Sequence, residues 1–221
     1  MLKFGVIAEG PSDQQVIENI LLGYFQDEPE EPVVNPIQPP VPTSNLPAPP
    51  GGWTLVFRSL KQGDHQKTLQ FNDYIVIQID TDVQEEPGFD VPKRDGGVEL
   101  PLEELVRRVI SRLKEEMGAA FCQTDGHRIL FAVAVDTIEC WLLPLLYTNK
   151  KTGKTTGCLE AANAALRKAG RKGLSAGDTK FPSAYDQCSR DYTKRKKLME
   201  LRYKNPSLEL FIKQLDELRK D

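Results

Sequence analysis

Tyr74-Ile75-Val76-Ile77-Gln78-Ile79-Asp80-Thr81-Asp82 is the stretch on which the fold turns. Its apolar residues are mostly β-branched and are broken only by Gln78, which predicts a strand buried on both faces, as in a parallel sheet. Asp80 and Asp82 then fall at the strand's C-terminal end, the edge where open α/β sheets bind ligands. In an extended chain, residues two apart share a face, so both carboxylates point the same way and Thr81 points away. Together they can hold one hard cation such as Mg²⁺. A solvated strand end with turn-forming aspartates is the plain alternative.

Working outward, Lys3 to Ala8 reads as a first strand. It is followed by Glu9-Gly10-Pro11-Ser12-Asp13 and an amphipathic helix over Gln14 to Phe25, with Val16, Ile17, Ile20, Leu21 and Tyr24 on its apolar face. Pro11 suits a first helical turn. Glu9 therefore also sits at the C-terminal end of a strand. Trp53 to Ser59 alternates as a second strand would, and Leu60 to Asn72 reads as a polar connection whose His65 either faces the site or, more often for a lone loop histidine, is simply solvated. An acidic loop covers Val83 to Gly97, and Glu99 to Met117 form an amphipathic helix. His127 enters a further buried strand, Ile129 to Val135. Asp136 and Glu139 follow that strand at capping-box spacing, so a helix cap and a cation-binding pair both account for them. Alternating strands and helices imply an α/β fold, a mostly parallel Rossmann-like sheet flanked by helices.

Residues 27–52 differ in composition. Nine of the chain's sixteen prolines lie there, which excludes helix and inner strand and predicts a proline-rich surface insertion. It reads as a tolerated insertion or as a docking arm. Beyond Tyr147 the chain is polar and basic, and short helices are expected over 158–169, 180–192, 193–202 and 206–218. The organisation expected is thus an α/β domain over 1–148 and a basic helical C-terminal segment over 149–221.

The net charge is −3 for 221 residues, but it is unevenly placed. Residues 150–204 hold fifteen Lys/Arg and five Asp/Glu, an excess of ten positive charges, so the remainder carries −13. An acidic, cation-binding body with a basic segment suited to phosphate backbones is one reading, and ordinary solvated helix faces are the other. Lys150, Lys151, Lys154, Lys180, Lys194, Arg195, Lys196 and Lys197 are the nucleic-acid contacts that the first reading names. The four cysteines, 122, 140, 158 and 188, form no CxxC pair. They are expected to be reduced thiols in a cytoplasmic protein, with Cys140 as core packing. The chain opens directly on a strand pattern, with no leader expected. Its longest apolar stretch is too short to span a bilayer, so no membrane partner is expected.

Three strand ends therefore deliver Glu9, Asp80/Asp82 and Asp136/Glu139, with Asp13 of the following helical turn as a further metal-ligand candidate and no histidine-rich set. Oxygen-only ligands favour Mg²⁺ or Mn²⁺. Val6-Ile7-Ala8-Glu9-Gly10-Pro11-Ser12-Asp13, followed by Ile79-Asp80-Thr81-Asp82, resembles the Toprim domain of topoisomerases, bacterial primases and OLD-type nucleases. Val135-Asp136-Thr137-Ile138-Glu139-Cys140-Trp141-Leu142-Leu143 is similar to a segment of standalone Toprim-like proteins from bacterial defence loci. The resemblance covers about residues 3 to 147, with the proline-rich insertion as a departure. It implies Mg²⁺- or Mn²⁺-dependent phosphodiester chemistry on DNA or RNA, as in a nuclease of anti-phage defence. Glu9, Asp80 and Glu139 would be its catalytic groups, and a partner ATPase or other defence protein is implied as well. Ile77-Gln78-Ile79-Asp80-Thr81-Asp82-Val83 also resembles the nucleophile motif of haloacid-dehalogenase-type phosphatases, although that motif normally stands on the first strand. A non-catalytic Toprim-like binding subunit is the third expectation.

Overall fold

The computed structural model describes residues 1–40, 51–176 and 179–219. Its centre is a four-stranded, all-parallel sheet made of β1 (Lys3–Ile7), β2 (Val33–Gln38), β3 (Tyr74–Asp80) and β4 (Ile129–Ala134), in the spatial order β2-β1-β3-β4. Helix α1 (Pro11–Tyr24) leads away from β1, and α2 (Trp53–Lys61) follows β2. Helix α3 (Leu102–Met117) connects β3 to β4. Beyond β4 come α4 (Cys158–Lys168), α5 (Pro182–Ser189), α6 (Arg195–Leu201) and α7 (Pro206–Leu218). The chain leaves β1 toward β2 on one side and returns to β3 on the other. The C-terminal edge between β1 and β3 is thus the topological switch point, where a crevice opens in sheets of this kind.

Alternation along β3 divides the core. Ile75, Ile77 and Ile79 point to one face, where they pack with Val56, Phe57 and Leu60 of α2 and Val109 and Leu113 of α3. Val76 points to the other face, among Val16, Ile17 and Ile20 of α1. Each of these fully buried aliphatic side chains contributes about 1.5–3 kcal/mol by leaving water. The second core also contains Cys158, Tyr185, Leu198, Phe211 and Leu215, so α4 to α7 pack into the same hydrophobic cluster as β1 and α1. Asn205 starts α7 by accepting the backbone N–H groups of Ser207 and Leu208, both at 3.1 Å.

Four sequence expectations need correction. Trp53 to Ser59 is helix, because Trp53, Val56, Phe57 and Leu60 fall at i, i+3, i+4 and i+7 and cover the sheet together. Part of the proline-rich excursion is the edge strand β2: Val33 to Pro36 pair with Lys3 to Val6, and a register shift then places Gln38 opposite Ile7. An edge tolerates Pro36 because one side of the strand needs no ladder donor. Residues 41–50 of that insertion lie outside the described residues. His65 is fully buried rather than solvated, its ring 4.4 Å from that of Phe121, and burial lowers its pKa. The cysteines are not all free thiols. Cys140 and Cys158 form a disulfide, while Cys122 and Cys188 are free. No helix among the described residues is long and apolar enough to cross a membrane.

Helix α1 lies very close to the C-terminal segment. A Cβ built on Gly23 would sit 1.7 Å from the backbone carbonyl oxygen of Tyr192. Backbone cannot yield as a side chain can, so Gly23→Ala is expected to cost at least about 1–3 kcal/mol. Urea denaturation measures this, and an unchanged midpoint would show that the two segments can part without penalty.

Candidate functional site

The site is built from the turns that leave β1, β3 and β4. Glu9 follows β1 by two residues, Asp80 ends β3, Asp13 lies in the first turn of α1, and Glu139 lies in the 3₁₀ turn Ile138–Leu142 beyond β4. Asp13, Asp80 and Glu139 are buried, while Glu9 is half-buried. Asp82 lies two residues beyond the strand and is exposed, yet near enough to add repulsion to Glu9.

Gln78, which looked like an interruption in an apolar strand, fixes two of these acids. It is fully buried. Its side-chain oxygen accepts the Glu9 backbone N–H at 3.1 Å, and its side-chain nitrogen donates to Asp80 Oδ1 at 2.8 Å. The Glu9 carboxylate in turn accepts the Asp80 backbone N–H at 2.7 Å. Two of these hydrogen bonds lock the ends of β1 and β3 together across the switch point, and the third holds the Asp80 carboxylate within β3. Gly51 packs over the same corner. A Cβ there would lie 2.2 Å from the Glu9 carbonyl oxygen, and Gly52 N–H donates to that oxygen at 2.8 Å.

The C-terminal segment supplies the counter-charge. Lys180, on a short ribbon pairing Ser175–Ala176 with Thr179–Lys180, places its ammonium 2.9 Å from Glu139 Oε1. The buried Tyr185 hydroxyl donates to the same oxygen. Asp13 Oδ1 and Glu139 Oε2 are buried with no hydrogen-bond partner among the described residues. Unpaired buried carboxylate oxygens are costly and call for an explanation.

The electrostatics follow from burial. Desolvation raises the Glu9 carboxyl to about 8, with Asp13 and Asp82 adding repulsion against the opposing Asp80 hydrogen bond and Lys180. Burial raises Asp13 to about 6, partly offset by Lys180. Asp80 is pushed well above its ordinary range by burial, then by Glu9, Asp13 and Glu139, and Asp82 is raised in the same direction, first by desolvation. Burial alone would raise Glu139 too, but the Lys180 ammonium and the Tyr185 hydroxyl outweigh it and hold the carboxyl below its usual value. The Lys180 ammonium is held more firmly than usual: its desolvation is exceeded by the pull of Asp13, Glu139 and Asp80.

Glu9, Asp13 and Asp80 thus bind protons more tightly in the folded chain than in the unfolded one, so their contribution to stability is greatest at acid pH. It is lost as pH climbs out of the ordinary carboxylate range, through about 6 for Asp13 and about 8 for Glu9. With chelator present, the urea midpoint is therefore expected to be lower at pH 8 than at pH 5.5. A midpoint that rises over this interval would show that these acids are not repelling one another.

The remaining residues named from sequence are placed differently. Asp136 does not cap the turn that holds Glu139. Thr137 occupies that position, without a side-chain cap, and the Asp136 carboxylate faces the backbone N–H groups of Gly157 and Cys158 at the start of α4. Lys180 is part of the acid cluster and not of a separate basic surface. Lys194 to Lys197 do not lie beside the acids: the Arg195 guanidinium bonds the Tyr24 carbonyl at the far end of α1 and pairs with Asp27 at 3.0 Å. Helix α1 starts at the acid edge and runs fourteen residues away from it, about 21 Å. Lys194 pairs with Asp191 at 2.6 Å, Lys197 reaches Glu200 at 3.6 Å, and Lys196 is exposed. Lys150, Lys151 and Lys154 lie on the loop before α4, where Lys151 stands over the Tyr147 ring at 4.9 Å. Among the described residues, the set of three acids or cysteines whose ligand atoms lie within 4.8 Å of one another is Asp136, Cys140 and Cys158. Glu9, Asp80 and Asp82 are not gathered so closely. Gln78 and Tyr185 are the site residues that sequence reading missed. A polar residue inside a β-branched run was the one available signal for Gln78, and Tyr185 had none.

Comparison of the chain with protein-family models, with curated proteins and with solved structures gave no match.

Proposed function

We propose that this chain is a metal-dependent phosphodiesterase that cleaves nucleic acid at the C-terminal edge of its sheet. The observation that carries the reading is the convergence of Glu9, Asp13, Asp80 and Glu139 at the switch point, with Lys180 as the cation beside them and two buried carboxylate oxygens unpaired. The donors are carboxylate oxygens, which suit Mg²⁺ or Mn²⁺. Asp13, Asp80, Asp82 and the free oxygen of Glu139 would hold the ion, which supplies charge neutralisation at phosphorus and an activated water. Glu9 is placed to hold the ion or to move the proton of that water, since Asp80 N–H already fixes one end of its carboxylate. Lys180, anchored by Glu139, can meet a phosphate oxygen. Lys150, Lys151 and Lys154, on the loop before α4, would add positive charge for a nucleic-acid backbone. The reading puts the protein in the cytoplasm, with nucleic acid as its partner and a defence-system ATPase as a further one.

The second reading is a haloacid-dehalogenase-type phosphatase with Asp80 as nucleophile. Against it, Asp80 is buried, one of its oxygens is bonded to Gln78, and it stands on the third strand rather than the first. A substrate panel of plasmid, linear DNA, tRNA and a phosphomonoester, each with Mg²⁺, Mn²⁺ or chelator, decides between them. Chelator-sensitive cleavage of a polynucleotide supports the proposal. Turnover of the monoester alone, through an aspartyl-phosphate, supports the phosphatase, and metal binding without any turnover supports a binding subunit.

A further inference from the structure

The chain carries a second cluster of ligand atoms that the acid centre does not use. Cys140 follows Glu139 in the turn beyond β4, and Cys158 is the first residue of α4. Both are buried, and their Cα atoms are 5.0 Å apart. Asp136 stands over them. It adopts φ +67°, a left-handed conformation that Asp tolerates better than most residues. Two hydrogen bonds hold it there: its N–H donates to Thr81 Oγ1 and its carbonyl accepts the Thr81 N–H, both at 2.9 Å. One carboxylate oxygen and both sulfurs lie within 4.8 Å of one another. On the outer side, Asp136 lines a cavity of about 230 Å³ with Thr81, Lys93, Thr155 and Thr156, open enough for an ion and a water to enter.

We propose that Asp136, Cys140 and Cys158 form a redox-gated site for a thiophilic divalent cation, of which Zn²⁺ is the natural case. In the disulfide state the sulfurs are bonded to each other and the site is closed. A dithiol or phosphine reductant supplies two electrons, the S–S bond breaks, and two thiols form as the reductant is oxidised. On binding the cation the two thiols release their protons and become thiolates. The α4 N-terminus at Cys158 favours that ionisation. Two thiolates and a carboxylate are a borderline-soft set that selects Zn²⁺ over Mg²⁺ and leaves a fourth position toward the cavity. The ligands come from the β4 exit and from α4, so the cation would bridge the two segments that the disulfide now bridges. The proposal stands apart from the phosphodiesterase reading, since it uses neither Glu9 nor Asp80.

Co²⁺ titration of the full chain, kept reduced with a phosphine, tests it. The expected result is a sulfur-to-cobalt charge-transfer band and visible absorbance of a tetrahedral ion, saturating at one equivalent, removed by Zn²⁺ and untouched by excess Mg²⁺. The oxidised chain should show neither band. Asp136→Asn should keep the charge-transfer band but bind at least about 10-fold more weakly. Circular dichroism checks that the reduced, metal-free chain stays folded. A folded, fully reduced chain without the charge-transfer band overturns the proposal, as does a band that persists in the Cys140→Ser, Cys158→Ser double variant. Unfolding on reduction overturns it too, because the cluster then exists only as a disulfide. Should the double variant fail to fold, comparing reduced with oxidised wild type decides alone.

Discussion

Asp80→Asn is expected to abolish polynucleotide cleavage and, without metal, to raise the melting temperature. Asp80 lies where burial and the nearby Glu9, Asp13 and Glu139 all oppose a negative charge. The fold works against that charge, which the proposed metal site would require. Asn has nearly the same volume and keeps an oxygen for the Gln78 side-chain donor, so the bond from Gln78 Nε2 survives. The repulsion disappears, and each kcal/mol recovered is worth about 2–4 °C in a chain of this size. Activity moves the other way. Losing a ligand charge at a metal centre removes more than an outer-shell change would, so a loss above about 100-fold is expected. The melting scan is run with chelator and the cleavage assay with Mn²⁺. Cleavage at the wild-type rate would remove Asp80 from the site. A lower metal-free melting temperature would show that its charge stabilises the fold.

What the sequence made legible was local. The β-branched run into Asp80 and the Glu9-Gly10-Pro11 turn declare strand ends, because period, branching and proline placement act over a few residues. Trp53 to Ser59 was misread because Trp53 and Phe57 satisfy both an alternating and a helical period, and only the sheet face waiting for Val56 and Leu60 selects the helix. Val33 to Gln38 were hidden by prolines that an edge strand accepts. The pairs that complete the site are separated widely in sequence: Glu139 with Tyr185 and Lys180, and Cys140 with Cys158. No short-range pattern joins such residues. They meet because α4 to α7 fold back onto α1 and bury their apolar faces there. The acids were therefore readable as strand-end residues, whereas the cation and hydroxyl that restrain Glu139 needed the tertiary structure.

Trp141→Ala is expected to be the most damaging substitution for stability, because Trp141 is where that fold-back is fastened. Its side chain is fully buried and stacks on Phe211 of α7 with centroids 5.7 Å apart. Its indole N–H donates to Ser207 Oγ at 2.8 Å, and its backbone carbonyl accepts the Tyr192 hydroxyl. The neighbouring Cys140 carbonyl accepts Asn205 Nδ2 at 3.3 Å. One short turn, which also carries Glu139, thus gathers the Tyr192 region and both the cap and the body of α7. Truncation leaves a cavity the size of an indole and deprives Ser207 of a donor, which together cost about 3–5 kcal/mol. Trp141→Phe separates the two contributions. It keeps an aromatic ring against Phe211 but loses the N–H, so the missing hydrogen bond alone should cost about 1 kcal/mol, plus whatever the smaller ring leaves unfilled. Urea midpoints of the three proteins under identical redox conditions measure the series. Because Glu139 hangs from the same turn, Trp141→Ala should also loosen its contact with Lys180 and reduce any stabilisation by Mn²⁺. If Trp141→Ala costs less than about 1 kcal/mol, the C-terminal helices are held by something other than this turn, and the placement of Glu139 needs another explanation.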